Sequence, residues 1–339
     1  MGMEGAEEMR SAGSSVRFHA TLWALGGFYL FLIVAMIGAD LLFTTPGHLW
    51  AALQSEEIQY AVKLSLVSCT VTAMLSLWVA VPLGYLLSRQ HFPGKLILDT
   101  ILDVPIVLPP LVIGLSLLIL FQTRPGKWLE WVTAKQMGFT LTYICLPLLV
   151  SLISWPLVGA KLGFARGFYA MLFAGLLILA LLLFTPLGPN LAQSLQKRFG
   201  TAITFGVPSV ILAQFSVSCA FAVRTMRVTF DQISPRTEMV ALTLGCTRSQ
   251  AFWLVSLPEA WRGLVTAASL AWARALGEFG PILIFSGATR MRTEVLSTTV
   301  FLELSGNHLE AAIAVSLLMV MVAVGALLVM RALGLRGAV

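Results

Sequence analysis

Arg274 and Glu278 stand four residues apart inside an apolar run, so on a helix their side chains share one face and can neutralise each other. The pairing admits two readings: an ion pair that fixes helix packing, or two groups that line a path and couple its gate. Hydroxyls recur on neighbouring apolar runs at Ser65, Ser68, Thr70, Ser216 and Ser218. Hydroxyls, backbone N–H groups and helix N-termini can replace the hydration of an anion without holding it too tightly to release. Hydroxyls also serve simply to pack one helix on another. His19, His48, His91 and His308 are isolated near run ends, and Cys69, Cys145, Cys219 and Cys246 show no CxxC spacing. Neither a metal site nor a disulfide is expected. No GxxxxGK[ST], HExxH or GxSxG motif and no paired catalytic carboxylates occur. A chain of this kind is expected to have no catalytic residue and to draw any energy from another polypeptide.

The elements that must carry these residues are set by composition. Of 339 residues 58% are hydrophobic and only 11% charged, and the mean hydropathy is +0.88. A soluble globule of this make-up would lack the polar surface to cover itself. A helix crossing the hydrocarbon core needs roughly 20 mostly apolar residues, because its backbone groups must bond within the segment. Runs meeting that need are expected at about 19–43, 61–88, 97–121, 138–160, 168–187, 206–227, 263–286 and 308–331. The fold class is therefore all-α, a polytopic membrane protein of about eight transmembrane helices. The formal charge of +6 lies in short loops and reads as topology rather than nucleic-acid binding. With the N-terminus inside, thirteen of the 22 Lys and Arg fall in inner segments and seven in outer loops, as the positive-inside rule requires.

Residues 1–18 are polar and mixed in charge and read as a cytoplasmic N-terminal segment, followed at 19–60 by a first span and outer loop. The run Leu22 to Phe43 is too long for a signal-peptide core and reads as a retained span. Val104 to Pro110 holds Pro105, Pro109 and Pro110 and reads as a bent or broken helix beside a path, or as ordinary packing.

Between the sixth and seventh runs lies RVTFDQISPRTEMVALTLGCTRSQAFWLVSLPEAWR, residues 227–262, too polar to span. Ser234-Pro235 opens a helix with Glu238 near its positive end, and Gly245 is its natural stop. A second short helix is expected at Ser249 to Val255, carrying Phe252 and Trp253 and ended by Leu257-Pro258. Two short helices at an angle on the cytoplasmic face would make a docking knob.

The spacing Ala241, three residues, Gly245, nine residues, then Val255-Ser256-Leu257-Pro258 resembles the "EAA" loop of binding-protein-dependent ABC importer permeases. In that register Met239 and Val240 stand where the family usually has Glu and Ala, with Glu238 one position earlier. Ala275 to Gly280 (ALGEFG), continuing to Ile284-Phe285-Ser286-Gly287, is similar to a signature of the molybdate, tungstate and sulfate branch. Phe92-Pro93-Gly94-Lys95 through Asp99 to Val107-Leu108-Pro109-Pro110 resembles another stretch of that branch.

The resemblance implies a type I importer permease core at 61–335, with an inserted helical hairpin at about 122–184 and a cytoplasmic ATPase-docking loop at about 227–262. It implies a separate ATP-binding subunit holding ATP and Mg, an external substrate-binding protein and a second permease copy, itself or a sister chain. It implies a multi-pass location in the plasma membrane and an oxyanion cargo: molybdate first, with sulfate, thiosulfate or tungstate as alternatives. A secondary transporter would have no use for a docking loop. The docking residues it implies are Glu238, Ala241, Gly245, Phe252, Trp253, Leu257 and Pro258; pore or gate residues are expected among Pro109, Pro110, Ser216, Arg274 and Glu278.

Overall fold

The computed structural model describes residues 4–44, 46–90, 92–127 and 203–336, and every element among them is helical. The expected hairpin at about 122–184 lies almost wholly outside the described residues. Helix α1 spans Glu4–Phe43, α2 Pro46–Gln54, α3 Glu56–Arg89, α4 Lys95–Val107, α5 Pro110–Gln122 and α6 Val207–Gln232. Beyond α6 come α7 (Pro235–Thr243), α8 (Arg248–Ala251), α9 (Trp261–Leu276), α10 (Gly280–Phe285), α11 (Leu296–Ser305) and α12 (Leu309–Arg336). Leu22–Phe43, Glu56–Arg89, Val207–Gln232 and Leu309–Met330 are each long and apolar enough to cross a bilayer. The pair α4 and α5 passes the same test only as a bent unit, with 111° between its halves.

Two expected spans are thus broken. The run 97–121 bends at Leu108 and Pro109, as its prolines foretold: Pro110 occupies the first turn of α5, where its missing N–H removes no bond. The run 263–286 was expected to be continuous, yet α9 stops at Leu276 and α10 starts at Gly280. Gly277 caps α9, and Pro281 belongs to the first turn of α10, so neither a side chain nor a ladder bond holds the two pieces in line. Helices α2 and α11 occupy stretches read as outer loop, and α1 runs back through the polar segment to Glu4.

The core is a three-helix contact among α3, α6 and α9. Along α3 the buried positions Ala61, Ser65, Ser68, Thr72, Ser76, Ala80 and Gly84 are small and recur every three or four residues, making one narrow face. Small residues let membrane helices come close, where dispersion and hydroxyl contacts take over from the hydrophobic effect. A Cβ on Gly84 would lie 2.8 Å from the Cβ of Met226 on α6. Between the same helices Thr72 Oγ1 donates to Gln214 Oε1 at 3.2 Å, and the Ser76 and Ser218 hydroxyls meet at 3.3 Å. The outward surface is the reverse, with Trp23, Leu42, Trp78, Leu328 and Val329 all exposed, as lipid contact demands.

Ion pairs mark the two ends. At one end Arg227 of α6 pairs with Asp99 of α4, and Arg224 lies 3.4 Å from Asp103. At the other, Arg290 joins Glu57 of α3 and Glu303 of α11, the latter at 2.8 Å, and Tyr60 donates to the Arg292 carbonyl at 3.0 Å.

Candidate functional site

The segment after α6 is a compact knob whose turn is specified almost residue by residue. Ser234 caps α7, its hydroxyl accepting from the Arg236 N–H at 3.4 Å. Gly245 has φ +91°, a left-handed conformation. Its N–H donates to Leu242 O and the Cys246 N–H to Ala241 O, each at 3.1 Å, the two bonds of a Schellman ending. Thr247 then opens α8 with a reciprocal capping box: the Gln250 N–H donates to Thr247 Oγ1 and the Thr247 N–H to Gln250 Oε1. That T-x-x-Q signal was present in the sequence, and it places the second helix one residue earlier than Ser249. The helix is not ended by Leu257-Pro258. A π-helical turn, Phe252–Ser256, leads into a further turn at Leu257–Glu259, where Pro258 is again in the position that needs no donor.

Placement within the knob separates the expected docking residues into two groups. Ala241 is buried, and Phe252 turns into the chain, its ring 4.6 Å from Tyr85 of α3 and 6.3 Å from Phe230 of α6. Trp253 and Pro258 face out, and with Met239, Val240, Leu244 and Leu254 they leave the knob an exposed apolar surface. Glu238 is turned inward: Arg89 Nε donates to its Oε1 at 2.9 Å, Ser256 Oγ to the same oxygen at 2.7 Å, and Tyr85 Oη to Oε2 at 3.0 Å.

The second site is where the two broken helices meet. A Cβ on Gly114 would lie 2.7 Å from Pro281 Cα, and one on Gly280 would lie 3.0 Å from the Leu111 N. Pro109 and Pro110 are therefore brought against the α9–α10 break. Here Glu278 is buried at 1% exposure, and Arg274 Nη1 lies 2.6 Å from its Oε1, so the two side chains neutralise each other as their spacing implied. The Arg274 guanidinium also stands over the Phe221 ring at 5.7 Å. Ser297 Oγ donates to the Glu278 carbonyl at 2.7 Å, fastening the break to α11.

The remaining hydroxyls are otherwise engaged. Ser216 bonds back to the Ala213 carbonyl of its own helix at 2.8 Å, Ser65 accepts from the Leu296 N–H at the start of α11, and Thr70 accepts from Trp272 Nε1. Reading single hydroxyls missed a groove of about 630 Å³ between α6 and α9, its lining mixed: Arg224, Thr229, Glu259 and Arg262 beside Phe221, Val228 and Leu270. The signal that locates it is a ladder at every fourth residue of α9, Arg262, Thr266, Leu270 and Arg274, which share one face and lead from the knob to the ion pair.

A family model for the inner membrane component of binding-protein-dependent transport systems matches residues 80–336. The chain is 25% identical to the sulfate transport system permease protein of Escherichia coli, over 79% of this chain and 73% of that one. It is 25% identical to the molybdate/tungstate transport system permease protein of Thermococcus kodakarensis, over 80% and 76%. It is 28% identical to the molybdenum transport system permease protein of Mycobacterium tuberculosis, over 81% and 79%. The fold matches a bacterial ABC transporter involved in the import of the acidic polysaccharide alginate, with a TM-score of 0.58 at 16% identity, over 97% of this chain and 99% of that one. The family match takes in both broken helices, the knob and the helices they join, and the chain belongs to the binding-protein-dependent transport system inner membrane components, as a multi-pass protein of the plasma membrane.

Proposed function

We propose that this chain is the permease subunit of an ATP-driven importer, and that it passes a tetrahedral oxyanion, molybdate foremost, from an external binding protein to the cytoplasm. The observation that carries the reading is the knob: short capped helices presenting an exposed apolar surface at the end of the bundle where Arg89, Arg224, Arg227 and Arg248 gather. A chain that worked alone would gain nothing from it. The sequence has no phosphate loop, so ATP and Mg belong to a partner subunit that docks on this surface. Trp253, Leu254, Pro258, Met239, Val240 and Leu244 supply the contact, while Gly245, Ala241 and Leu257 hold its shape.

The cargo path is assigned to the junction of the broken helices. The N-terminus of α5 carries the positive end of a helix dipole against Gly280 at the start of α10, and half-helix ends of this kind are a recurring anion device in transporters. One chain presents one side of such a path, so a second permease copy completes it. Permeases similar to this chain carry sulfate as well as molybdate or tungstate names, which makes sulfate the second reading.

The test is uptake into proteoliposomes holding this chain, its ATP-binding subunit and its binding protein. Labelled molybdate should enter only with ATP and all three components present, and excess unlabelled tungstate should suppress it more than excess sulfate. Uptake by the chain alone would overturn the importer reading; stronger competition by sulfate would move the cargo to sulfate.

A further inference from the structure

The register of the knob poses a question that its geometry answers. Glu238 is one position from where the resemblance puts a carboxylate, and it does not face outward. Its side chain is 13% exposed and that of Arg89 12%. Both carboxylate oxygens are engaged, by donors from α3 and from the π-helical turn. Arg89 is the last residue of α3, and its Nη2 also donates to the Ile233 carbonyl, the first residue past α6, at 2.9 Å. One part-buried cluster therefore ties four pieces of chain together: the inner end of α3, the end of α6, the first turn of α7 and the turn at Phe252–Ser256. The rings of Tyr85, Phe252 and Phe230 pack beside it. Met239 and Val240, at 56% and 58% exposure, are left to face a partner.

We propose that Glu238 is a positioning residue that locks the knob to the inner end of α3 through Arg89, so that any push on the knob moves α3 rather than flexing the loop beneath it. This rests on the reading of the knob as an ATPase-docking surface. A carboxylate that already holds three donors, with both oxygens engaged, keeps about one of its four lone-pair directions for a partner, and opening the cluster leaves the part-buried Arg89 without its anion. The load then passes to a long member. Helix α3 has 34 residues and runs about 51 Å, with Pro82 two turns from the Arg89 end. It is seated against α6 at Gly84, and its far end carries the Glu57 and Tyr60 contacts to the loop holding Arg290 and Arg292. A displacement at Arg89 is thereby delivered to the opposite face of the membrane.

The experiment uses the assembled complex in proteoliposomes with three readouts: retention of the ATP-binding subunit on purification, ATP hydrolysis stimulated by the loaded binding protein, and labelled molybdate or sulfate taken up per ATP hydrolysed. Glu238→Gln, Arg89→Gln, the reversals Glu238→Arg and Arg89→Glu, and the double reversal are compared, with Tyr85→Phe and Ser256→Ala as mild variants that remove one donor each. The lock predicts that each Glu238 or Arg89 single variant keeps its ATPase partner while uptake per ATP falls about tenfold or more. The double reversal should recover a large part of that ratio, and the mild variants should lose it by a smaller factor. Loss of the ATP-binding subunit in Glu238 variants alone, unrepaired by the double reversal, would place Glu238 at the partner surface and overturn the lock. An unchanged transport ratio in the mild variants and in Glu238→Gln would overturn it too, whatever becomes of the reversals. A wild-type chain that captures no ATP-binding subunit would instead overturn the importer reading.

Discussion

Gly245 and the pair Arg274 and Glu278 show how differently two residues in one site can matter. A Cβ on Gly245 would meet nothing within 4 Å, so space does not select glycine there; its φ of +91° does. A β-branched side chain in the left-handed region costs about 1–2 kcal/mol and loosens the Schellman bonds that aim α8. Gly245→Val should therefore insert and purify normally yet lose coupled uptake, whereas Gly245→Asn, which tolerates that conformation, should stay near wild type. Full uptake in the Val variant would show the turn to be a passive helix end. The ion pair is selected by charge. Removing Arg274 leaves a carboxylate at 1% exposure without its cation, a one-sided loss of about 3–5 kcal/mol. Thermal unfolding in detergent should show Arg274→Met far less stable than Arg274→Met combined with Glu278→Gln. A double variant no more stable than the single one would mean that Arg274 contributes packing against Phe221 rather than neutralisation.

At the scale of elements, what the sequence made legible depended on whether a signal was local. The long apolar runs at 61–88, 206–227 and 308–331 became α3, α6 and α12, with α3 extended at both ends and α6 and α12 by five residues each at their C-terminal ends. The proline cluster gave the bend before α5, and Ser234, Pro235 and Gly245 gave both ends of α7. The break between α9 and α10 was not legible, because glycine and proline inside a membrane run are equally compatible with a straight helix. What decides is tertiary: α5 approaches so closely at Gly280 and Gly114 that the two broken helices must bend around each other. The inward turn of Glu238 was hidden for the same reason, since its partners Tyr85 and Arg89 are some 150 residues away in sequence. The close approach makes its own prediction. Gly114→Leu should drive α5 from Pro281 and lower the unfolding midpoint, by the about 1–3 kcal/mol typical of overpacking, and a fully stable variant would show that the junction is loose.

For the molecule as a whole, the relative directions of α3, α5 and α6 follow from two clusters at opposite ends of the described helices. Phe121 near the end of α5, Ile203 just before α6 and Val210 in its first turn, Phe285 after the second break and Val295 before α11 pack in one group, with Leu64 from the first part of α3. The chain thus leaves α5 and enters α6 on one face, and the order of crossings beyond Val207 does not depend on residues 128–202. Arg89, Arg224, Arg227, Arg248 and Arg262 gather at the other end, with α4 and the knob. The orientation proposed for the bundle, with most basic residues kept on the cytoplasmic side, puts the knob in the cytoplasm and the Glu57, Arg290 and Glu303 cluster on the outer face. Cysteine substitution in a cysteine-free background tests this directly, because Met239 and Met291 are both exposed, at 56% and 47%, on the two assigned faces. In intact cells a membrane-impermeant maleimide should modify a cysteine at position 291 and leave one at 239 untouched until the membrane is opened. The reverse pattern would put the knob outside, where no ATP-hydrolysing partner could reach it, and both the docking surface and the Arg89 lock would lose their function together.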